Sequence, residues 1–272
     1  MLETGKKAMA GLVFAVGLMG LLPSGVQAAT KTIACPGKSL QNAVTKLNPG
    51  DTLLVSGTCA ENVVIPEQIV NVTLNGQGTA TIQGADPTQN TINVRGRGVT
   101  IAGFTISGGN RTISLQRGGS AIITGNTITG SQTHGVQLSQ NNYAKIQGNT
   151  IQGNSDAGVH VRLGSGADIW DNVITANFDG IKVDTGGSAD ISGNHIYSNT
   201  EDGVRLRSNS NVRFSHDEDD TTVNVIEGNG ENGVNCRLGG SIGGNPVSWG
   251  SGNTGGNKSI DGTCLVESGV LP

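Results

Sequence analysis

The sequence predicts an all-β protein in which short parallel strands stack coil upon coil. Glycine makes up 44 of the 272 residues and charged residues only 14%, a composition typical of a chain with many tight turns. A pattern of about 23 residues recurs between positions 121 and 211. Each copy contains short runs that alternate apolar and polar residues, separated by Gly, Asn and Ser. Alternation predicts strands and the intervening residues predict turns.

Composition also excludes several classes of protein. The glycines follow no strict Gly-X-Y period, which excludes collagen. The formal net charge of -4 argues against a nucleic-acid partner, because such binding depends on clustered basic residues.

The first 28 residues have the organisation of a cleaved signal peptide. Lys6 and Lys7 precede an apolar stretch over residues 8–22, and small residues precede the expected cut between Ala28 and Ala29. About 15 apolar residues fall short of the ~20 that a membrane-spanning helix needs. We therefore expect a secreted or periplasmic protein with no membrane span after cleavage.

Four cysteines fit an exported protein, since disulfides persist in oxidising compartments. They allow three pairings. A stack of repeats would hold the two ends of the chain apart, so we expect the disulfides Cys35–Cys59 and Cys236–Cys264.

The repeats suggest how the interior is built. AIITGNTITGSQTHGVQLSQNNY (121–143) is followed in register by AKIQGNTIQGNSDAGVHVRLGSG (144–166), and the shared runs are A-x-I, N-x-I and G-V-x-L. Stacked coils would bury the Ile, Val and Leu side chains in a continuous column. One asparagine recurs at the same bend, and its amide is expected to bond to the next coil. Its copies are Asn126, Asn149, Asn172, Asn194 and Asn224.

From about residue 30 to about 240, this pattern resembles the right-handed parallel β-helix, or pectin-lyase-like, superfamily. SLQNAVTKLNPGDTLLV resembles the N-terminal capping helix of that family, with Leu40, Val44 and Leu47 on one face. The resemblance implies a β-helix of about eight coils over residues 29–241. The Gly-rich segment over residues 242–272 is interpreted as an irregular C-terminal cap held by Cys264, with a flexible linker as the alternative. We expect a monomer.

In the family's layout, G-V-x-L is the first strand of each coil, and a binding cleft runs along the outer face of the first-strand sheet. The residue between Val and Leu points outward. In three consecutive coils this residue is His160, Lys182 and Arg205, which form a basic cluster on an otherwise acidic protein.

These residues suggest a groove for an acidic polysaccharide. Enzymes that act on uronic-acid sugars must neutralise a carboxylate and remove the neighbouring proton. His160, Lys182 and Arg205 are the candidate catalytic residues. The candidate substrate-binding residues lie at the ends of the same strands or in the turns before them: Arg162, Phe178, Asp179, Asp184, Asp202, Arg207 and Arg237.

The family's catalytic motifs do not occur in this sequence. The D-P-H-D motif of alginate epimerases is absent, since Asp86-Pro87 continues with Thr-Gln, and so are the pectate-lyase patterns W-x-D-H and R-x-P-x-x-R. Two hypotheses stay open. One is a protein that binds or modifies an acidic polysaccharide, as a lyase or C5-epimerase-like enzyme if it is catalytic. The other is a non-catalytic structural or adhesive module of the cell envelope.

The sequence predicts no metal site. The run His216-Asp217-Glu218-Asp219-Asp220 offers oxygen ligands but lacks the D-x-D-x-D-G spacing of a formed Ca²⁺ loop. We interpret this run as a solvated loop. Ca²⁺ remains a candidate cation for neutralising a sugar carboxylate.

Overall fold

The computed structural model describes residues 27–215 and 222–272. Over this part the chain winds into a right-handed parallel β-helix of about 10 turns, so the predicted fold class is confirmed. The turns exceed the expected eight or so because the N-terminal coils do not carry the full repeat pattern. Almost all of the signal peptide expected over residues 1–28, and the acidic run 216–220, lie outside the described residues.

Each regular turn contributes a strand to each of three stacks, which we call the first, second and third sheets. The first sheet pairs nine strands in parallel. These are β4 (Val63–Ile65), β6 (Ile92–Val94), β8 (Ile113–Leu115), β11 (Val136–Ser139), β14 (Val159–Arg162), β17 (Ile181–Asp184), β20 (Val204–Arg207), β23 (Asn232–Arg237) and β26 (Gly256–Ile260).

Two long strands, β5 (Thr73–Gln83) and β7 (Val99–Ser107), run through both the second and the third sheet and join them. The second sheet also holds β1 (Thr30–Ala34), β2 (Thr52–Ser56), β9 (Ser120–Thr124), β12 (Tyr143–Gln147), β15 (Gly166–Trp170), β18 (Ser188–Ser192), β21 (Asn211–Phe214), β24 (Ser241–Gly244) and β27 (Leu265–Val266). The third sheet also holds β3 (Thr58–Ala60), β10 (Thr127–Thr129), β13 (Thr150–Gln152), β16 (Val173–Thr175), β19 (His195–Tyr197), β22 (Val225–Glu227) and β25 (Ser248–Trp249).

The interior of the helix consists of aligned aliphatic columns. In the first sheet, Val136 pairs with Val159 and Leu138 with Val161, and all four side chains are fully buried. Each such side chain contributes about 1.5–3 kcal/mol through removal from water. The alternation that fills the interior also turns the intervening polar residues outward.

Two buried asparagine ladders line the bends between the sheets. The predicted ladder is confirmed, since the Nδ2 of each asparagine donates to the Oδ1 of the next over 2.9–3.1 Å from Asn126 to Asn224. A second ladder follows the third sheet with the same spacing. It comprises Asn154, Asn177, Asn199, Asn229 and Asn253. Both ladders satisfy backbone carbonyls that the bends would otherwise leave buried without a partner.

The glycine of G-V-x-L recurs because the coils approach closely there. A Cβ at Gly180 would lie 2.5 Å from the carbonyl oxygen of Gly203 and 2.6 Å from the Cγ2 of Ile196. The equivalent Gly158 would place its Cβ 2.8 Å from the Gly180 carbonyl oxygen. Stacking at the normal strand spacing therefore leaves no room for a side chain at this position.

A short helix covers the N-terminal edge. Helix α1 (Leu40–Val44) begins after Ser39 and buries Leu40 and Val44, as expected of a capping helix. The Gln41 amide bonds to both the N–H and the carbonyl of Val64 in edge strand β4, at 2.7 and 3.0 Å. The side chain thus takes the place of a neighbouring strand and blocks edge-to-edge pairing.

Both predicted disulfides are present, Cys35–Cys59 near the N-terminal end and Cys236–Cys264 near the C-terminal end.

The Gly-rich segment after residue 241 carries regular structure. Strand β26 pairs with β23, and β27 pairs with β24, so the coils continue beyond the last full repeat.

Candidate functional site

The outer face of the first sheet brings the three candidate catalytic residues together. His160 on β14 pairs in register with Lys182 on β17, which pairs with Arg205 on β20. Parallel strands lie about 4.8 Å apart, so the three side chains follow one another across about 10 Å. Gln137 and Asn235 occupy the same position on the two flanking strands.

His160 is buried beneath this face, with 3% of its surface exposed. Its Nε2 lies 3.1 Å from the Oδ2 of Asp184. Its Nδ1 lies 3.0 Å from the Nε2 of His134 and 3.1 Å from the amide nitrogen of Gln137. Both ring nitrogens are therefore engaged, and His160 has no free nitrogen to offer a ligand.

The hydrogen bonds determine the tautomers of both imidazoles. The backbone N–H of Ala157 donates to the Nδ1 of His134, so the ring proton of His134 lies on Nε2. That proton is donated to the Nδ1 of His160, whose own proton must then lie on Nε2 and point to Asp184. The result is a directed chain from the Ala157 amide to the Asp184 carboxylate.

Burial keeps these imidazoles neutral. Burial, and then the neighbouring His160 ring, lower the pKa of His134 to about 3. Burial also lowers the pKa of His160, although its hydrogen bond to Asp184 opposes that change.

Asp184 anchors two arginines from below the surface. Burial by itself would raise the pKa of Asp184, but the hydrogen bond from His160, with a further one from Thr185, holds the pKa well below its usual range. The ionised carboxylate lies 3.7 Å from the Nε of Arg162 and 3.4 Å from an Nη of Arg207. The side chains of Arg162 and Arg207 are 37% and 43% exposed, so both reach solvent.

Lys182 is paired with a carboxylate that lies beside the sheet. Its Nζ lies 3.2 Å from the Oδ1 of Asp156, and its side chain is only 12% exposed. Asp156 precedes Gly158 in the turn that leads into β14.

Arg205 lies over two buried carboxylates. Its Nη1 is 3.3 Å from Asp179 and its Nε is 3.8 Å from Asp202, and both aspartates are fully buried. Burial raises the pKa of Asp179 to about 6, despite the opposing charges of Arg205 and Lys182. Asp202 also accepts hydrogen bonds from the side chains of Asn232 and Asn235.

The remaining candidates lie at the rim of this face. Phe178 is exposed in the turn just before Asp179. Arg237 ends β23 with an exposed side chain whose Nε donates to the Oδ1 of Asn235. Asp179, Asp184 and Asp202, which the sequence suggested as substrate contacts, instead lie below the surface and hold the basic side chains in place.

Four residues that shape this face are not among the candidates from the sequence: His134, Asp156, Gln137 and Arg111. The repeat pattern could have identified His134. It lies directly before the glycine of its G-V-x-L run, the position that Asp179 and Asp202 occupy in later coils. Arg111 precedes β8 in the same column, although its coil lacks the G-V-x-L glycine.

Arg111 lines an open depression of about 350 Å³ on the N-terminal half of the face. Its other lining residues are Gln116, Arg117, Gln137, Ser139, Gln140 and Arg162.

In residues 27–215 and 222–272, no group of three or more His, Cys, Asp or Glu side chains is arranged to hold a metal ion. No helix in the same ranges is long and apolar enough to cross a membrane.

The fold and this polar face define a β-helix protein whose first sheet carries a charged outer face. Residues 90–248 match the family model described as "Right handed beta helix region", which spans more than half of the chain. The protein therefore belongs to the right-handed β-helix family. No curated protein is detectably similar to it in sequence.

Several solved structures share the fold. Pectate lyase Pel9A superposes with a TM-score of 0.66 at 12% identity, covering 90% of this chain and 83% of its own. The α-1,3-glucanase catalytic unit from Streptomyces thermodiastaticus gives 0.61 at 13% identity, covering 82% and 49%. The periplasmic alginate epimerase AlgG gives 0.53 at 15% identity, covering 80% and 55%. The chain thus spans about half the length of the glucanase and the epimerase, and at these identities the likeness establishes the fold.

Proposed function

We propose that the protein binds an acidic polysaccharide along the outer face of the first sheet. The observation that carries this proposal is the register that stacks basic side chains on successive strands of one face of the sheet. Lys182, Arg205 and Arg207 lie on adjacent strands, with Arg162 one strand before them and Arg237 one strand after. A fold shared with a pectate lyase, an alginate epimerase and a glucanase supports a polysaccharide as the ligand.

The arginines are suited to hold sugar carboxylates. Each guanidinium has five N–H donors in a planar fork that matches a carboxylate. Asp184 approaches Arg162 and Arg207 from below through one atom of each, which leaves other donors directed toward solvent. Phe178 offers an exposed flat surface on which a sugar ring can pack.

If the protein is also catalytic, the geometry divides the roles of the three candidates. Lyases and C5-epimerases remove the proton next to the carboxylate. A lyase then expels the neighbouring glycosidic oxygen and leaves an unsaturated sugar, whereas an epimerase returns a proton to the opposite side. Lys182 in its neutral form would be the base and Arg205 would stabilise the charge that develops on the carboxylate. His160 would act as a positioning residue, because both of its ring nitrogens are bonded within the protein.

A structural or adhesive module of the cell envelope is the second candidate. The charge pairing favours it, since Asp156 and Asp179 offset Lys182 and Arg205. For either function, the two disulfides support export to the periplasm or the exterior. We also propose that the chain acts as a monomer.

Binding of the exported chain to alginate, polygalacturonate and neutral glycans tests the proposal. Absorbance of unsaturated product should be followed in parallel, with and without Ca²⁺. We expect acidic polymers to bind and Arg207→Ala to weaken binding. The control is Lys145→Ala, which removes a cation from the second sheet, where Lys145 lies over the Trp170 ring.

Product that disappears in Lys182→Ala would establish a lyase with its site on this face. Binding without unsaturated product would leave a binding protein or an epimerase. Failure of every acidic polymer to bind would overturn the proposal in favour of the structural module.

A further inference from the structure

The two halves of the first-sheet face differ in how their cations are neutralised. On the C-terminal half, Arg205 lies against two buried carboxylates. On the N-terminal half, the depression around Arg111 has no acidic residue in its lining. Its polar lining comes from arginine, glutamine and serine side chains that donate hydrogen bonds. Of its three arginines, Arg117 pairs with Glu67 at 3.5 Å and Arg162 approaches Asp184 to 3.7 Å, whereas Arg111 makes no ion pair with a described residue. The depression is therefore rich in donors, and Arg111 is its uncompensated cation.

Buried polar atoms in this half lack partners. The Nε atoms of Arg111 and Arg162 are buried and make no hydrogen bond in the described structure, and Asp184 approaches the latter only to 3.7 Å. Burial, and then the charge of Arg162, lower the pKa of Arg111. Arg111 thus lies near a second cation and makes no ion pair with a described residue, which is a costly arrangement in a folded protein. A bound anion would remove that cost.

A second depression continues the first toward the N-terminus. It measures about 210 Å³, and Arg111 lines both. The amide of Asn93 in the second depression donates to Gln116 in the first over 3.3 Å, while the Asn93 Oδ1 is buried without a partner. The Nε of Arg95, which follows β6, is also buried and unbonded. Unsatisfied groups thus run along the groove on both sides of Arg111.

We propose that Arg111 and Arg162 form a carboxylate-binding subsite, and that Arg111 lies between two neighbouring sugar-binding positions of an oligouronate chain. This inference rests on the proposed function, whose ligand it specifies. A volume of about 350 Å³ is at the lower end of the ~300–1,000 Å³ typical of small-ligand sites, which suits one sugar residue. Gln137 lines the same depression and would contact the bound sugar. Its side-chain amide also bonds to His160.

This placement moves the anchoring of the polymer away from the basic cluster that the sequence singled out. Arg205 already pairs with two carboxylates of the protein, so it should contribute less to holding the polymer than Arg111, which has no such pair among the described residues. Arg111 lies four strands before Arg205 in the first sheet, next to β8, and has its charge available. The polymer would bind mainly beside β8, β11 and β14, and would extend from there over Lys182.

Calorimetric titration with three trisaccharides tests the subsite: trigalacturonate, trimannuronate and neutral maltotriose. We expect at least one uronate trimer to bind and maltotriose not to bind. Arg111→Gln and Arg162→Gln should each weaken uronate binding by roughly tenfold or more, as expected for a lost charge-assisted hydrogen bond. The control is Arg213→Gln, because Arg213 lies on the outer side of the second sheet and should leave binding unchanged.

Arg111→Lys provides a second variant that keeps the charge and loses the planar fork, and it should bind with intermediate affinity. Thermal unfolding of each variant should be measured to check that it is folded. One outcome would separate the two proposals: uronates bind, Arg207→Ala weakens that binding, and both Arg111 variants bind as tightly as the unchanged chain. The subsite would then be wrong, and the proposed function would stand. If no uronate trimer or polymer binds, both are wrong.

Discussion

The Nε2 of His134 donates a hydrogen bond to the Nδ1 of His160 over 3.0 Å, although the two residues lie 26 positions apart in the chain. Both rings are buried and neutral, and the Nε2 of His160 in turn donates a hydrogen bond to the Asp184 carboxylate. An ionised Asp184 then holds Arg162 and Arg207 at the surface. The histidines thus support the basic face from below and are not part of its exposed charge.

Neutral buried histidines should make the protein less stable as the pH falls. The pKa of His134 is about 3 in the folded chain and about 6.5 when unfolded, so below pH 6.5 the unfolded state binds more protons. Between pH 7.5 and 5 this group alone should remove about 2 kcal/mol of unfolding free energy. Asp179, whose pKa is raised, changes stability in the opposite direction between about pH 4 and 6.

Urea unfolding at both pH values should therefore compare the unchanged chain with His134→Gln, which retains a donor toward His160. The loss on acidification should be about 2 kcal/mol smaller in the variant. Equal losses in the two proteins would show that folding does not lower the pKa of His134.

Removal of Arg205 should leave Asp179 buried without its closest counter-charge. We expect Arg205→Met to cost about 2–3 kcal/mol at pH 8, somewhat less than the 3–5 kcal/mol of a fully buried pair because Arg205 is partly exposed. At pH 5 the cost should shrink, since protonation of Asp179 removes the unpaired charge. The double variant Arg205→Met/Asp179→Asn should recover most of the loss at pH 8. A cost that is the same at both pH values would rule out this explanation.

The asparagine ladder should be a major contributor to stability. The Nδ2 of Asn149 donates to the Ile123 carbonyl, the Gln147 carbonyl and Asn172, at 2.9–3.1 Å. Asn149→Ala leaves these buried acceptors with fewer donors, so we expect a loss of about 3–5 kcal/mol by urea unfolding. Asn253→Ala, at the partly exposed end of the second ladder, should cost much less. Similar costs at the two sites would contradict a ladder that depends on burial.

Close stacking at the G-V-x-L glycine predicts that even a methyl group is not tolerated. Gly180→Ala would place its Cβ 2.5 Å from a backbone oxygen of the next coil, so we expect about 1–3 kcal/mol of destabilisation or more. Gly262→Ala is the matched control, because nothing lies within 4 Å of its Cβ position. Thermal unfolding should show a lowered midpoint for the first variant alone, and an unchanged midpoint for both would mean that the coils can separate locally.

Much of the fold followed from the repeat. The register of His160 with Lys182 and Arg205 could be predicted because parallel coils place equivalent motif positions directly above one another. The disulfides and the first asparagine ladder followed from the same stacking. The number of coils exceeds the predicted eight or so, because the strands of the N-terminal coils lack the repeated asparagine and glycine of the later coils.

Motif spacing indicates which residues share a column on each face, because translation from coil to coil preserves motif position. Which of those residues reach solvent, and which are neutralised, depends on side-chain contacts in the folded chain. His160 is covered by Gln137 and His134, and Arg205 is paired with Asp179, whereas Arg111 keeps an unpartnered nitrogen. These differences depend on side-chain contacts between coils, where residues 22–30 positions apart meet, and the spacing of a motif does not specify them.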